Sequence, residues 1–218
     1  LPVSPAQWPL SVKGPPEVAG GPALKGGADA ISVSVRGLSE GAVAFRQQPS
    51  ASSLFSTARI FVGVLPASTS QNAGAFAGPY LVDGPADAVG PEGALGDPRV
   101  SVSGDGAFDV AIGAGARVLD GLGDESGAKP PVTLNTEDGG IPPDPLLDRG
   151  DDGALAAAWK AKIGTAEGVR VLERQADGTP SRQLFSTKTG GELGTLGLSG
   201  SGLGDAAIAF QQGSGANT

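Results

Sequence analysis

The sequence predicts an all-β chain of recurring antiparallel meanders, and three observations carry that prediction. A small apolar segment returns four times behind a turn: Gly41-Ala42-Val43-Ala44-Phe45, Gly106-Ala107-Phe108-Asp109-Val110-Ala111-Ile112, Gly153-Ala154-Leu155-Ala156-Ala157-Ala158-Trp159 and Ala206-Ala207-Ile208-Ala209-Phe210. With Ala42, Ala107, Ala154 and Ala207 taken as equivalent, the recurrence is spaced by roughly 45 to 65 residues, near the length of one supersecondary unit in repeat architectures. Short stretches of period-two alternation accompany these segments, which puts one face of each on a core and the other toward water.

The elements follow in a constant order. Upstream strands are expected at Ile31-Ser32-Val33-Ser34-Val35, at Arg99-Val100-Ser101-Val102-Ser103 and, more weakly patterned, at 193–198. Between these strands and the alanine segments lie 37–41, 104–106, 150–153 and 200–205, whose Gly and Asp residues tolerate positive φ and read as hairpin turns. A third strand opens with arginine each time, at Arg59, Arg117 and Arg170. A fourth is expected at Tyr80-Leu81-Val82, at Val132-Thr133-Leu134 and at 183–186. Four antiparallel strands joined by tight turns make a meander, and a repeated meander of about 45 to 55 residues is the blade of a β-propeller.

In its organisation the chain resembles the superfamily of repeat-built β-propellers, on the turn-then-alanine-strand pattern and the aromatic ends Phe45, Trp159 and Phe210. The resemblance implies a β-propeller-like array of four-stranded antiparallel meanders, incomplete or completed by another segment. A β-sandwich of the same strands is the alternative fold. No family-specific signature accompanies the pattern: Ser103-Gly104-Asp105-Gly106-Ala107-Phe108 comes near the Asp-box turn of sialidase-like propellers but places its glycines differently, so no function is carried over. One domain is expected over 1–213, with units near 28–84, 97–136, 144–187 and 193–213, an N-terminal strand at 7–12 and a flexible tail at 214–218. Inner strands of neighbouring blades crowd together, so alanine is expected on one sheet face and Val43, Phe45, Phe108, Leu155 and Trp159 in the core.

Composition bounds the function. Gly (37) and Pro (18) form about a quarter of the 218 residues, which raises a low-complexity reading, but such a chain has no physical reason to repeat an alternating pattern. A net charge of −8 with no run of Lys or Arg disfavours nucleic acid and anionic membrane surfaces as partners. The longest apolar run, Ile60 to Leu65, is strand length, so no membrane insertion is expected. Cysteine and histidine are absent, which removes disulfides, thiolate chemistry and the usual general base near neutral pH. Methionine is absent too, and Leu1-Pro2-Val3 reads as the start of a processed or excised chain.

Carboxylates are what remains for chemistry. Asp120, Asp124 and Glu125 are the candidate metal ligands, for calcium, the one cofactor considered; Glu137 and Asp138, and Asp144, Asp148, Asp151 and Asp152, form further acidic clusters. Asp109 interrupts an apolar strand on its small-residue face, where a buried acid needs a partner such as Arg117. Lys160 and Lys162 lie at a strand end that could face a saccharide. Arg149-Gly150-Asp151 matches the adhesion tripeptide, a chance match in a chain this rich in Gly and Asp. The connection 66–98 is long enough to carry binding on one face. The primary expectation is a non-catalytic, secreted or surface-exposed module that binds or scaffolds a macromolecule, with another chain completing the sheet as one form of partner. The alternatives are a carbohydrate-active enzyme using Asp/Glu pairs, and a structural subunit of a larger assembly.

Overall fold

The structure, a computed structural model, describes residues 28–36, 40–48, 57–65, 77–84, 95–135, 144–163, 166–175, 179–186, 193–200 and 205–213. Their regular elements are all strands, in four antiparallel sheets that succeed one another along the chain. The first sheet is β1 (Ala28–Arg36), β2 (Glu40–Gln47), β3 (Arg59–Leu65) and β4 (Ala77–Leu81), each hydrogen-bonded to the next. The second is β5 (Arg99–Val102), β6 (Phe108–Ala114) and β7 (Arg117–Asp124), with β8 (Gly127–Ala128) and β9 (Val132–Thr133) both pairing β7. The third is β10 (Leu146–Arg149), β11 (Leu155–Ile163), β12 (Ala166–Arg174) and β13 (Pro180–Ser186); the fourth is the pair β14 (Leu193–Gly200) and β15 (Ala206–Gln212). This is the propeller-like array of antiparallel meanders that the sequence predicts. Among the described residues no helix is long and apolar enough to cross a membrane.

Two of the turns are copies in detail. The amide of Ser103 donates to the Ala107 carbonyl, that of Gly106 to the Ser103 carbonyl, and that of Ala107 to Asp105 Oδ1. One sheet later Gly150, Gly153 and Ala154 repeat those three bonds, with Asp152 in the place of Asp105. The fourth turn residue is glycine in both because φ there is positive, 81° at Gly106 and 86° at Gly153, a region that costs an L side chain about 1–2 kcal/mol.

The sheets stack face on face. Ala42, Ala44, Ile60, Val62 and Val64 of the first pack against Val100, Val102, Phe108, Val110 and Ile112 of the second. Val118 of the second meets Ala157, Trp159 and Leu172 of the third, whose other face, with Ala158, Val169 and Val171, packs on Leu193, Leu196, Leu198 and Ile208 of the fourth. The first and third sheets therefore offer small residues of their second strands to the next sheet and receive larger ones in return. The close approach is strictest at Gly121, where a Cβ would lie 2.6 Å from the Val82 carbonyl oxygen of the first sheet.

Strand register moves the repeat anchor. Ala42, Asp109, Ala156 and Ala207 pair with Ser34, Ser101, Asp148 and Ser199 of the inner strands, the two members of each pair lying eight residues apart in sequence. The equivalent of Ala42 is thus Asp109 rather than Ala107, and Ala156 rather than Ala154. The aromatic ends then align, since Phe45, Trp159 and Phe210, with Ile112, all lie three residues beyond. Phe108, Leu155 and Trp159 are buried as expected, whereas Val43 and Phe45 are half-buried.

At the outer end of the first sheet Arg59 grips the buried Asp83 through two bonds of 2.8 Å, and the Ile60 amide donates to the same carboxylate. Burial pushes the Asp83 carboxyl up, with Arg59 opposing. The strand expected at 7–12, the tail 214–218, Glu137 and Asp138, and much of the connection 66–98 lie outside the described residues.

Candidate functional site

The first strands of the sheets lie side by side, and their C-terminal ends bring one carboxylate into contact with all four sheets. Asp148, on β10, accepts the Gly200 amide of β14 at 2.5 Å through Oδ2 and the Ser101 hydroxyl of β5 at 3.4 Å through Oδ1. Arg36 of β1 approaches the same Oδ1 at 4.0 Å. The other end of that guanidinium donates from Nε to Asp151 Oδ1 at 2.7 Å, in the turn that follows β10. One arginine therefore joins two aspartates, and both keep access to water, their side chains being 25% and 58% exposed. Through the guanidinium the two carboxylates are held no more than about 9 Å apart, a bound that admits the separations at which paired carboxylates work on a glycosidic bond.

A second aspartate pair is closed to solvent. Asp109 on β6 and Asp120 on β7 are diagonal neighbours on the face turned to the third sheet, and both are 0% exposed. From the third sheet Arg149 and Arg174, in one cross-strand row on either side of Leu155, reach across. Arg174 donates to Asp109 at 2.8 Å and to Asp120 at 3.0 Å, while Arg149 ion-pairs with the other Asp109 oxygen. Burial, then the Asp109 charge, push the Asp120 carboxyl well above the usual carboxylate range, with Arg174 opposing. For Arg174 burial works against the charge, but the two aspartates outweigh it and leave it raised. Asp120 Oδ1 has no hydrogen-bond partner, and an unsatisfied oxygen in this dry junction adds to the cost of holding the carboxyl ionised. This cluster braces the second sheet against the third and takes no substrate.

Sequence reasoning put Asp109 on the crowded face correctly and named the wrong partner. Arg117 pairs with Ala114 and so projects from the opposite face of the sheet. The calcium candidates are not assembled: Asp120 pairs with Arg174, Asp124 accepts the Ser126 amide at 2.8 Å, and Glu125 offers its main-chain carbonyl to the Tyr80 hydroxyl at 2.7 Å. Among the described residues no group of three or more Asp or Glu side chains is placed to hold a metal ion. The tripeptide 149–151 is not displayed for adhesion, because Arg149 turns inward to Asp109 and Asp151 is held by Arg36. Lys160 donates to the Leu193 carbonyl at 3.0 Å and ties the third sheet to the fourth. What the sequence reading missed is β10, the strand that carries both Asp148 and Arg149. The constant order of elements was the signal for it, since the turn 150–153 needs a strand on its upstream side.

No protein-family model matches this sequence, and neither does a curated protein. Among solved structures the chain is similar to Hadza microbial sialidase Hz136, with a TM-score of 0.42 and 14% identity over 74% of this chain. It spans 35% of that chain's length. The expectation of a non-catalytic binding or scaffolding module is corrected here, since the likeness found is to an enzyme.

Proposed function

We propose that this chain is a carbohydrate-active propeller whose working groups are Asp148, Asp151 and Arg36. The observation that carries the reading is the pair of water-accessible carboxylates joined by one guanidinium where the four inner strands end. Asp148 also departs from its own pattern. At the equivalent positions Ser34 and Ser101 a hydroxyl accepts the neighbouring amide, a task that needs one oxygen, and Asp148 adds a second oxygen that faces Arg36. Glycoside hydrolysis needs two carboxyl groups and no histidine, one to protonate the leaving oxygen and one to act as base or nucleophile. Asp148, fixed by Gly200 and Ser101, takes the second role, and Asp151, at the open side of the turn, the first. A polysaccharide substrate implies a secreted or cell-surface setting. The reading places the chain in the repeat-built propeller superfamily, with units near 28–84, 97–136, 144–187 and 193–213.

The test is hydrolysis of a panel of fluorogenic glycosides and polysaccharides by the purified chain. Turnover is expected, and Asp148→Asn and Asp151→Asn are each expected to lower kcat by at least about 100-fold with the fold retained by circular dichroism. A wild-type chain inactive on the whole panel, or variants as active as wild type, overturns the proposal.

A further inference from the structure

Around the inner strands one hydrogen bond is repeated from sheet to sheet. Ser34 Oγ accepts the Val102 amide at 3.2 Å, Ser101 Oγ accepts the Arg149 amide at 2.9 Å, and Asp148 Oδ2 accepts the Gly200 amide at 2.5 Å. In each case the acceptor pairs with the residue eight positions further along the chain, and the donor is the following position on the next inner strand. The series has two matching ends. Ser199 is the next acceptor, and Val35 of β1 stands at the register of Val102, Arg149 and Gly200.

The sheet faces continue the same series. Two of the three internal junctions set small residues against large ones, as Ala42 and Ala44 meet Val110 and Ile112 and as Ala158 meets Leu198. At the ends one face of each kind is left over. The far face of the fourth sheet presents Thr195, Gly197, Ser199, Ala207 and Ala209, all exposed. The far face of the first presents Ile31, Val33 and Val35, which are 64%, 65% and 63% exposed, beside the half-buried Val43 and Phe45. Neither face carries a charged side chain among these residues, so the net charge of −8 sits elsewhere. An uncovered apolar stripe of this regularity on an inner strand is a surface built to be covered.

We infer that two copies of this chain associate head to tail, the fourth sheet of each packing on the first sheet of the other, with Ser199 Oγ accepting the Val35 amide across both junctions. Because the free faces complement each other rather than themselves, one partner copy satisfies both at once and closes the array with two-fold symmetry. The result is a ring of eight sheets, within the range that propellers occupy. The junctions continue a hydrogen bond present three times, and a packing present twice, inside one chain, which is why a second copy fits them better than an unrelated partner.

Sedimentation equilibrium of the 218-residue chain tests this. A species of twice the 21.3 kDa chain mass is expected at micromolar concentration. Val33→Asp on one face and Ala209→Arg on the other are each expected to give monomer, and Ser199→Ala to weaken the dimer about thirtyfold, the value of roughly two hydrogen bonds, one at each junction. Mixing the Val33→Asp and Ala209→Arg chains leaves one junction with both faces intact, and a mixed dimer is expected to reappear. All three positions are at the surface, and unchanged circular dichroism separates loss of association from loss of fold. A chain that stays monomeric up to about 100 μM, an unlimited polymer, or a dimer indifferent to both faces overturns the inference.

Discussion

Replacing Asp109 by Asn removes one charge from the centre of the brace between the second and third sheets while keeping its shape. In the native chain that carboxylate receives Arg174 at 2.8 Å and is ion-paired to Arg149, with no exposure of its own. Breaking a fully buried pair by removing one partner costs about 3–5 kcal/mol, most of it the uncompensated charge left behind. Two features reduce the figure here. The Arg149 and Arg174 side chains are 15% and 21% exposed, so the guanidinia keep some water, and the amide oxygen of Asn still accepts one bond. Asp120 also loses the like charge beside it and becomes free to ionise against Arg174. The net loss expected is about 2–3 kcal/mol, which for a chain of this size lowers Tm by about 5–10 °C. Thermal and urea unfolding followed by circular dichroism measure it. A Tm within about 1 °C of wild type would refute the reasoning, because it would mean that neither guanidinium depends on Asp109.

Two further outcomes follow from the same physics. Asp120 binds its proton more tightly in the fold than in the unfolded chain, where an aspartate titrates near 3.9, so its contribution to stability is present at acid pH and is lost as pH rises from about 4 through its raised folded value. Asp120→Asn should flatten that decline in urea midpoints measured from pH 4 to 9, leaving the part with the same sign due to Asp83; an unchanged slope counts against the assignment. Asp29 and Asp105, held low chiefly by hydrogen bonds from Arg46 and Ser103, act in the opposite sense and at more acid pH, so they do not mask the test. Gly121→Ala places a methyl 2.6 Å from the Val82 carbonyl oxygen and must separate the first two sheets, with an expected cost of about 1–3 kcal/mol in urea unfolding. Gly104→Ala, where the nearest atom is Asp151 Oδ1 at 3.5 Å, is the matched control expected to change little.

Local chemistry wrote much of this fold into the chain. Alternation at Ile31 to Val35, glycines that turn at Gly106 and Gly153, and the arginines that open β3 and β7 are nearest-neighbour properties, and they give the strands and their order; Arg170, expected to open the third strand of its unit, instead lies in the middle of β12, which starts at Ala166. Strand register was less legible, because Ala107 and Ala154 look like Ala42 in sequence and only cross-strand pairing shows that Asp109 and Ala156 take its place. The site was least legible of all. Asp148 and Arg36 are 112 residues apart and meet only because four inner strands end together. Arg174 finds Asp109 across a gap between sheets, and period-two patterning says which face a side chain takes but not which sheet will lie opposite. Sequence settled what each strand can bury; the order in which sheets cover one another, a sum of many weak contacts between distant segments, was decided by the tertiary structure alone.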